Sequence, residues 1–275
     1  MSTRLAAAAV ALIASAYAAA ASPVAPGSAP QPASPITDYF ALRMSYFQPG
    51  LTTAGRFDSD AGIPGTPFNA EAELGLDNEA NQGRIELAFR MRDRHLLRVD
   101  YFKLNRYGEN TLTRQIDFRN RVFRVNDRVA TNLDWRMLGF NYSYGILRRE
   151  NFEIGLGAGL HLASADSRAE IRARNIRETG SGVVILPTLG IDGTWRFHRD
   201  WSVGGFVRYL SVNTGDGSGS LGDYHLDVQY RWKPNVALGL GWSSLRLDAD
   251  VKDADLPGKL AIEASGPELF VRVSF

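Results

Sequence analysis

Residues 83–92 read GRIELAFRMR, and the two faces of that stretch separate completely. Ile85, Leu87, Phe89 and Met91 fall on one side, and Arg84, Glu86, Ala88, Arg90 and Arg92 on the other. A period of two is the strand period, because successive side chains leave opposite faces of a pleated backbone. The same period recurs to the end of the chain, in segments of about ten residues separated by turn residues, as in a sheet closed within a bilayer. If the apolar side meets lipid, the charged side lines an interior.

In 152–163 the apolar face is Phe152, Ile154, Leu156, Ala158, Leu160 and Leu162, opposed by Glu153, Gly155, Gly157, Gly159 and His161. Farther on, Val183, Ile185, Leu189, Ile191, Trp195 and Phe197 oppose Thr188, Asp192, Thr194 and Arg196, and Tyr224, Leu226, Val228, Tyr230 and Trp232 oppose His225, Asp227, Gln229 and Arg231. A soluble sandwich would give the same alternation. The connections decide against it. Tight turns at Asp93-Arg94, His198-Arg199-Asp200 and Lys233-Pro234-Asn235 alternate with long polar segments at about 107–131, 164–182 and 249–258, the asymmetry of a membrane barrel. Phe152, Trp195, Phe197, Trp201 and Trp232 stand beside the short turns, with Tyr101, Tyr209 and Tyr224 toward the other ends, as two interfacial aromatic girdles require.

Residues 1–21 read as a cleaved signal peptide: Arg4, an apolar run, then small residues. Residues 22–37, rich in Pro, Ala and Ser, read as a disordered tether, and 38–275 as the folded domain. The chain has no Cys, so neither an N-terminal lipid anchor nor a disulfide is expected. Beyond the signal no stretch approaches the roughly 18 consecutive apolar residues of a spanning helix. Net charge is +1 and Lys is scarce beside Arg. No basic patch with interleaved aromatics points to nucleic acid, no His-x-x-x-His or similar spacing points to a metal, and no cofactor is expected.

The last residues, Leu269-Phe270-Val271-Arg272-Val273-Ser274-Phe275, hold the strand pattern to the terminus. Leu269, Val271, Val273 and Phe275 resemble the assembly signal of Gram-negative outer-membrane β-barrel proteins, a terminal aromatic preceded by alternating apolar residues. Glu71 to Leu76 and Arg94-His95 followed by Tyr101 are similar to an uncharacterised group of such barrels. The resemblance implies an outer-membrane location, contact with outer-membrane lipid and lipopolysaccharide, and recognition by the barrel-insertion machinery. It implies no activity.

The expected fold is all-β, a single up-and-down antiparallel transmembrane β-barrel. Nine crossings read directly, at about 83–92, 95–106, 131–146, 152–164, 181–197, 201–213, 221–232, 236–248 and 259–275. With both termini at one end the count must be even, so 38–82 supplies one strand or three. The alternation of 38–47 gives the first. Residues 51–58 and 68–76 also alternate, so twelve strands are preferred, with ten as the alternative if those two segments form a hairpin above the membrane.

The inward set is then Arg43, Arg56, Glu71, Glu73, Arg84, Glu86, Arg90, Arg98, Asp100, Arg136, Glu153, Asp192, Arg196, Arg208, Asp227, Arg231, Glu268 and Arg272. Signs are balanced and interleaved, which favours an ion-paired network filling the lumen, with glycines making room for Arg side chains. That points to a structural or surface-interaction role rather than to catalysis. A narrow hydrophilic channel is the alternative, and a lipid hydrolase with His161 near Ser164, Asp166 and Ser167 is a third. Glu71 and Glu73 are expected to pair with Arg56, Arg84 or Arg90.

Overall fold

The computed structural model describes residues 35–59, 61–215, 217–252 and 257–275. The expected signal peptide and all of the expected tether except residues 35–37 lie outside the described residues. Residues 35–37 form a turn in which Ile36 is buried and its carbonyl accepts from Arg148 Nη2 at 3.0 Å.

Every alternating segment from 83 onward is a strand. In chain order the elements are β1 (Phe40–Phe47), β2 (Gly50–Phe57), β3 (Phe68–Asn69), a short helix α1 (Ala70–Leu74), β4 (Gln82–Arg92), β5 (His95–Thr111), β6 (Ile116–Phe118) and β7 (Arg121–Phe123). They are followed by β8 (Arg128–Arg149), β9 (Phe152–Ile171), β10 (Ile176–Trp195), β11 (Trp201–Thr214), β12 (Gly217–Lys233), β13 (Val236–Val251) and β14 (Gly258–Ser274). The sheet runs β1-β4-β5-β8-β9-β10-β11-β12-β13-β14, antiparallel throughout, and closes where β14 pairs with β1. Ten strands make the barrel. The preferred count of twelve is corrected to the alternative.

The two extra segments went elsewhere for identifiable reasons. Strand β2 is the prolongation of β1. Phe47 lies opposite Glu268 and Gly50 opposite Ser265, so both strands keep one register along β14. Only Gln48 and Pro49, facing Gly266 and Pro267, interrupt the ladder, since a proline offers no N–H. A Cβ on Gly266 would come within 2.3 Å of the Gln48 carbonyl, so only glycine permits this approach. Segment 68–76 forms α1, set by Asn69, whose side chain accepts from the Ala72 N–H at 2.8 Å while its own N–H donates to Glu73 at 3.0 Å. This reciprocal cap outweighs the alternation.

On the outside, apolar side chains form one band. On β10 it runs from Trp195 to Val183, twelve steps that rise about 30 Å at ~3.3 Å per residue and ~40° tilt, enough to cross a barrel's lipid-facing zone of about 25 Å. Beyond Tyr101, Leu138 and Leu162, which follow one another across the register of β5, β8 and β9, the faces exchange character. On β8 the lower outward residues are Leu138, Phe140, Tyr142 and Tyr144. Higher up, Asn132, Asp134 and Arg136 point outward, while Val129, Leu133, Trp135 and Met137 are buried inside. The upper barrel is thus built like a water-soluble one. The long polar segments expected as loops are mostly these strand extensions.

Candidate functional site

The described lumen is filled in layers. At the short-turn end Asp38 accepts from Arg231 at 2.8 Å and lies 3.4 Å from Arg272, and Arg90 donates to both oxygens of Glu153 at 2.8 and 2.7 Å. The Arg90–Glu153 contact is the bidentate geometry in which Arg exceeds Lys, whereas Arg231 and Arg272 converge on one oxygen of Asp38.

Above them lies the central layer. Arg43 donates through Nη1 to Asp227 at 2.8 Å and through Nη2 to Glu268 at 3.0 Å, and its guanidinium stacks 3.6 Å over the Phe270 ring. Arg208 lies 3.2 Å from Asp223 and 3.8 Å from Asp100, and Arg84 is 3.7 Å from both carboxylates. Separations near 3.7 Å are longer than direct hydrogen bonds and suit bridging by water. Arg98 reaches Asp192 at 3.5 Å, and Glu86 faces Arg43 in the register between β1 and β4. Phe270 in turn lies over Gly239, where a Cβ would meet the ring at 2.2 Å. Gly239→Ala should therefore push Phe270 from under Arg43 and cost about 1–3 kcal/mol as overpacking, read as a lower urea midpoint of the folded barrel.

Most predicted inward residues join this network: Arg43, Arg84, Glu86, Arg90, Arg98, Asp100, Glu153, Asp192, Arg208, Asp227, Arg231, Glu268 and Arg272. Five do not. Arg136 shares the outward face with Asp134 and lies 3.8 Å from Asp166, because its strand exchanges its polar face above the lipid band. Arg56 has the outward parity of Ala54 and pairs with Asp58 at 2.8 Å. Burial pushes the Asp58 carboxyl up, but hydrogen bonds from Arg56 and the Gly65 amide outweigh it and hold the group below its usual range. Arg196 follows the end of β10 and donates to the Glu150 carbonyl at the turn. Glu71 and Glu73 sit on α1, and their partners are Arg106, at 2.7 Å, and Arg114 rather than Arg56, Arg84 or Arg90. The sequence reading missed Asp38, Arg106, Asp223 and Ser243. The parity of their own strands marks Asp223 and Ser243 as inward. Arg106, at the end of 95–106, likewise has the parity of Arg98 and Asp100, whereas Asp38, at the start of 38–47, has the parity of the apolar Phe40 and Leu42.

One arrangement has the connectivity of a hydrolytic triad. His225 Nδ1 lies 2.8 Å from Ser243 Oγ, and Nε2 lies 2.8 Å from Asp227. Yet Ser243 Oγ is also 2.7 Å from Glu268, and Arg43 Nη2 is 2.9 Å from His225 Nε2. The Glu268 carboxylate can only accept, so Ser243 donates to it and His225 Nδ1–H donates to Ser243, while Nε2 stands between the Arg43 guanidinium and the Asp227 carboxylate. The serine proton then points at a carboxylate and not at a base, and the group acts as part of the filling. His161 is inward and fully buried, with Thr188 Oγ1 3.5 Å from Nδ1. Ser164 and Asp166 have the opposite, outward parity, so they do not join it.

Above the charges comes an apolar layer that alternation concealed: Phe47, Leu51, Phe102, Leu104, Trp135, Met137, Leu186, Leu221, Leu245, Leu247 and Ile262. Arg106 follows, buried against Glu71, Thr53 Oγ1 and the Asp77 carbonyl. A second apolar cluster, with Phe57 at the end of β2 and Phe68, Leu74, Phe118 and Phe123 from the segments around α1, β6 and β7, covers the top.

No family model and no curated protein matches the chain. Solved structures do. The outer membrane protease OmpT from Escherichia coli superposes with a TM-score of 0.51 at 13% identity, over 86% of this chain and 97% of that one. The fold is that of a Gram-negative outer-membrane β-barrel. The transport unit of the autotransporter AIDA-I from Escherichia coli (TM-score 0.45, 10% identity, 86% of this chain, 90% of that one) superposes more loosely. Looser still is Ail of Yersinia pestis (TM-score 0.36, 9% identity, 84% of this chain, 98% of that one). At these identities the likeness is one of fold alone.

Proposed function

We propose that this barrel resides in the outer membrane of a Gram-negative bacterium, does not conduct, and acts as a structural or surface-interaction protein through the strands that rise above the lipid. The observation that carries the reading is the lumen: ion pairs across the lower half, a continuous apolar layer above them and a packed cap. Charged rings select ions only where water can pass between them, and an apolar layer of this kind excludes it. Refolded protein in planar bilayers is expected to give no unitary current. Stable, reproducible current steps would reject the filled-barrel reading in favour of the narrow channel.

Outer-membrane lipid and lipopolysaccharide are the partners this surface suits. Lys103 and Arg136 lie opposite each other on β5 and β8 just beyond the last lipid-facing row, where lipid phosphates would sit. The insertion machinery would read Leu269, Val271, Val273 and Phe275, of which Leu269, Val271 and Phe275 are well exposed. A non-enzymatic role follows from a serine turned toward a carboxylate and a histidine enclosed in the lumen. Turnover of phospholipid or lipid A by purified protein, abolished by His161→Ala, would overturn it.

A further inference from the structure

The lipid-facing wall is notched toward the short-turn end. Gly193 on β10 and Gly205 on β11 stand opposite each other, in one row with Ile154 on β9 and Leu226 on β12. They share the parity of Ile191, Trp195 and Val207, which are exposed in the outer apolar band, so both glycines face lipid. A Cβ on Gly205 would lie 2.6 Å from the His225 carbonyl oxygen, which keeps that position bare. A Cβ on Gly193 would meet nothing closer than 3.7 Å. The result is an open groove of about 600 Å³ walled by Phe152, Ile154, Ile191, Trp195, Val207 and Leu226. Inward residues such as Asp192 and Phe206 border it too, where the glycines leave backbone uncovered. From Trp195 to Ile191 it climbs about 10 Å at ~3.3 Å per residue and ~40° tilt, most of one leaflet's half of a lipid-facing zone of about 25 Å.

At the foot of the groove lies a second depression of about 370 Å³, lined by Leu147, Arg149, Asn151, Phe152 and Trp195. Phe152 and Trp195 border both. Arg149, Phe152 and Trp195 form one row across β8, β9 and β10. The register shift after Gly145 turns Leu147 and Arg149 outward and leaves Arg148 facing inward beside Glu153. Arg149 is exposed, and among the described residues no carboxylate pairs with it. Arg196 comes in from the next turn, its N–H donating to the Asn151 carbonyl and its guanidinium to the Glu150 carbonyl. Two cations therefore flank the turn at 150–151, whose one acidic side chain is Glu150. A cation beside interfacial aromatics, with an apolar groove running from them into the bilayer, follows the order of a phospholipid's own parts, phosphate and then chain.

We propose that the two depressions together hold one phospholipid of the periplasmic leaflet, its phosphate paired with Arg149 beside the Asn151 amide and one acyl chain laid over Gly193 and Gly205. The site rests on the reading of the barrel as an outer-membrane protein with its short turns in the periplasm. Arginine suits the phosphate because its planar fork can donate twice to one group. The glycine pair suits the chain because bare backbone lets an apolar partner come closer than a wall of side chains does.

The test uses full-length protein refolded in detergent, with folding verified by heat-dependent gel mobility, and offers it dioleoylphosphatidylglycerol or the phosphate-free dioleoylglycerol. In native mass spectrometry the parent should retain one phosphatidylglycerol. Gly193→Phe fills the groove with a side chain at home in lipid, and should lower retention about tenfold while keeping the folded mobility. Arg149→Gln should lower it to the level of dioleoylglycerol. A phosphatidylglycerol with a diazirine in its acyl chain, supplied in equimolar amount, should label residues 152–154 and 191–207. Equal retention by the parent and Gly193→Phe, equal retention of the two lipids by the parent, or labelling spread evenly around the barrel overturns the proposal. Two chains held together without lipid would assign the notch to a second copy and overturn it as well. If the parent gains no heat-modifiable fold in vesicles of dioleoylphosphatidylglycerol, the membrane reading itself falls. If it folds there and retains no lipid, only the lipid site falls.

Discussion

Arg43→Ala is expected to lower the unfolding free energy of the barrel by about 3–5 kcal/mol, the cost of breaking a buried ion pair from one side. Arg43 holds Asp227 at 2.8 Å and Glu268 at 3.0 Å, and the side chains of these carboxylates are only 9% and 2% exposed. Alanine would leave two neighbouring negative charges in the lumen, and Phe270 would lose the cation stacked on it. A urea titration of refolded protein in vesicles, scored by the fraction keeping the folded gel mobility, reads the effect as a lower midpoint. The triple replacement Arg43→Met, Asp227→Leu and Glu268→Met should recover most of the loss, because exchanging a whole buried network for apolar groups of similar volume is often close to neutral. If Arg43→Ala unfolds at the midpoint of the parent, the central layer is hydrated more freely than the observed burial allows.

Arg106→Ala is expected to act locally and just as strongly. The Arg106 side chain is fully enclosed and joins three parts of the cap: Glu71 on α1, Thr53 on β2 and the carbonyl of Asp77 in the connection to β4. Glu71 also accepts from the Thr53 N–H at 2.9 Å, so removing Arg106 strips the balancing charge from a carboxylate already committed to the interior. The ladder around the barrel does not pass through residues 58–81, and it should survive. What opens is this connection. Limited proteolysis of the variant should cut within 58–81 at enzyme concentrations that leave the parent whole, while heat-dependent gel mobility stays that of a folded barrel. Global loss of folded mobility would instead make the cap part of the barrel's own folding unit.

Much of the architecture was legible because lipid enforces a strict rule. A strand in contact with hydrocarbon must put apolar residues outward and hide its backbone in a closed ladder, so 83–92, 152–163 and 224–232 declare their faces without any tertiary information. Arg90 and Glu153, one from each of the first two stretches, pair across the lumen. Where lipid ends, the rule ends as well. Arg136 and Arg56 were read as inward by extending the membrane parity into the upper barrel, where water outside and an apolar core inside reverse it. Phe102, Leu104, Trp135 and Met137 carried the signal of that reversal, since large apolar side chains there fall on the face that holds charges lower down. In 68–76 the residues Ala70, Glu71, Ala72, Glu73 and Leu74 are strong helix formers behind an Asn cap, and local chemistry prevailed over a coincidental period of two.

By itself the sequence determined the strand class, the direction of the lipid-facing sides, the girdles and the sign balance of the lumen, all of which follow from residue type and a two-residue period. Only the tertiary structure decided the count of ten, because whether β2 prolongs β1 or turns back depends on which edge of β14 is free to pair. Only it showed which arginine meets which carboxylate, since partners such as Arg43 and Glu268 are brought together by closure of the barrel. The notch at Gly193 and Gly205 likewise belongs to the assembled sheet, where two glycines become one groove only once both strands stand side by side.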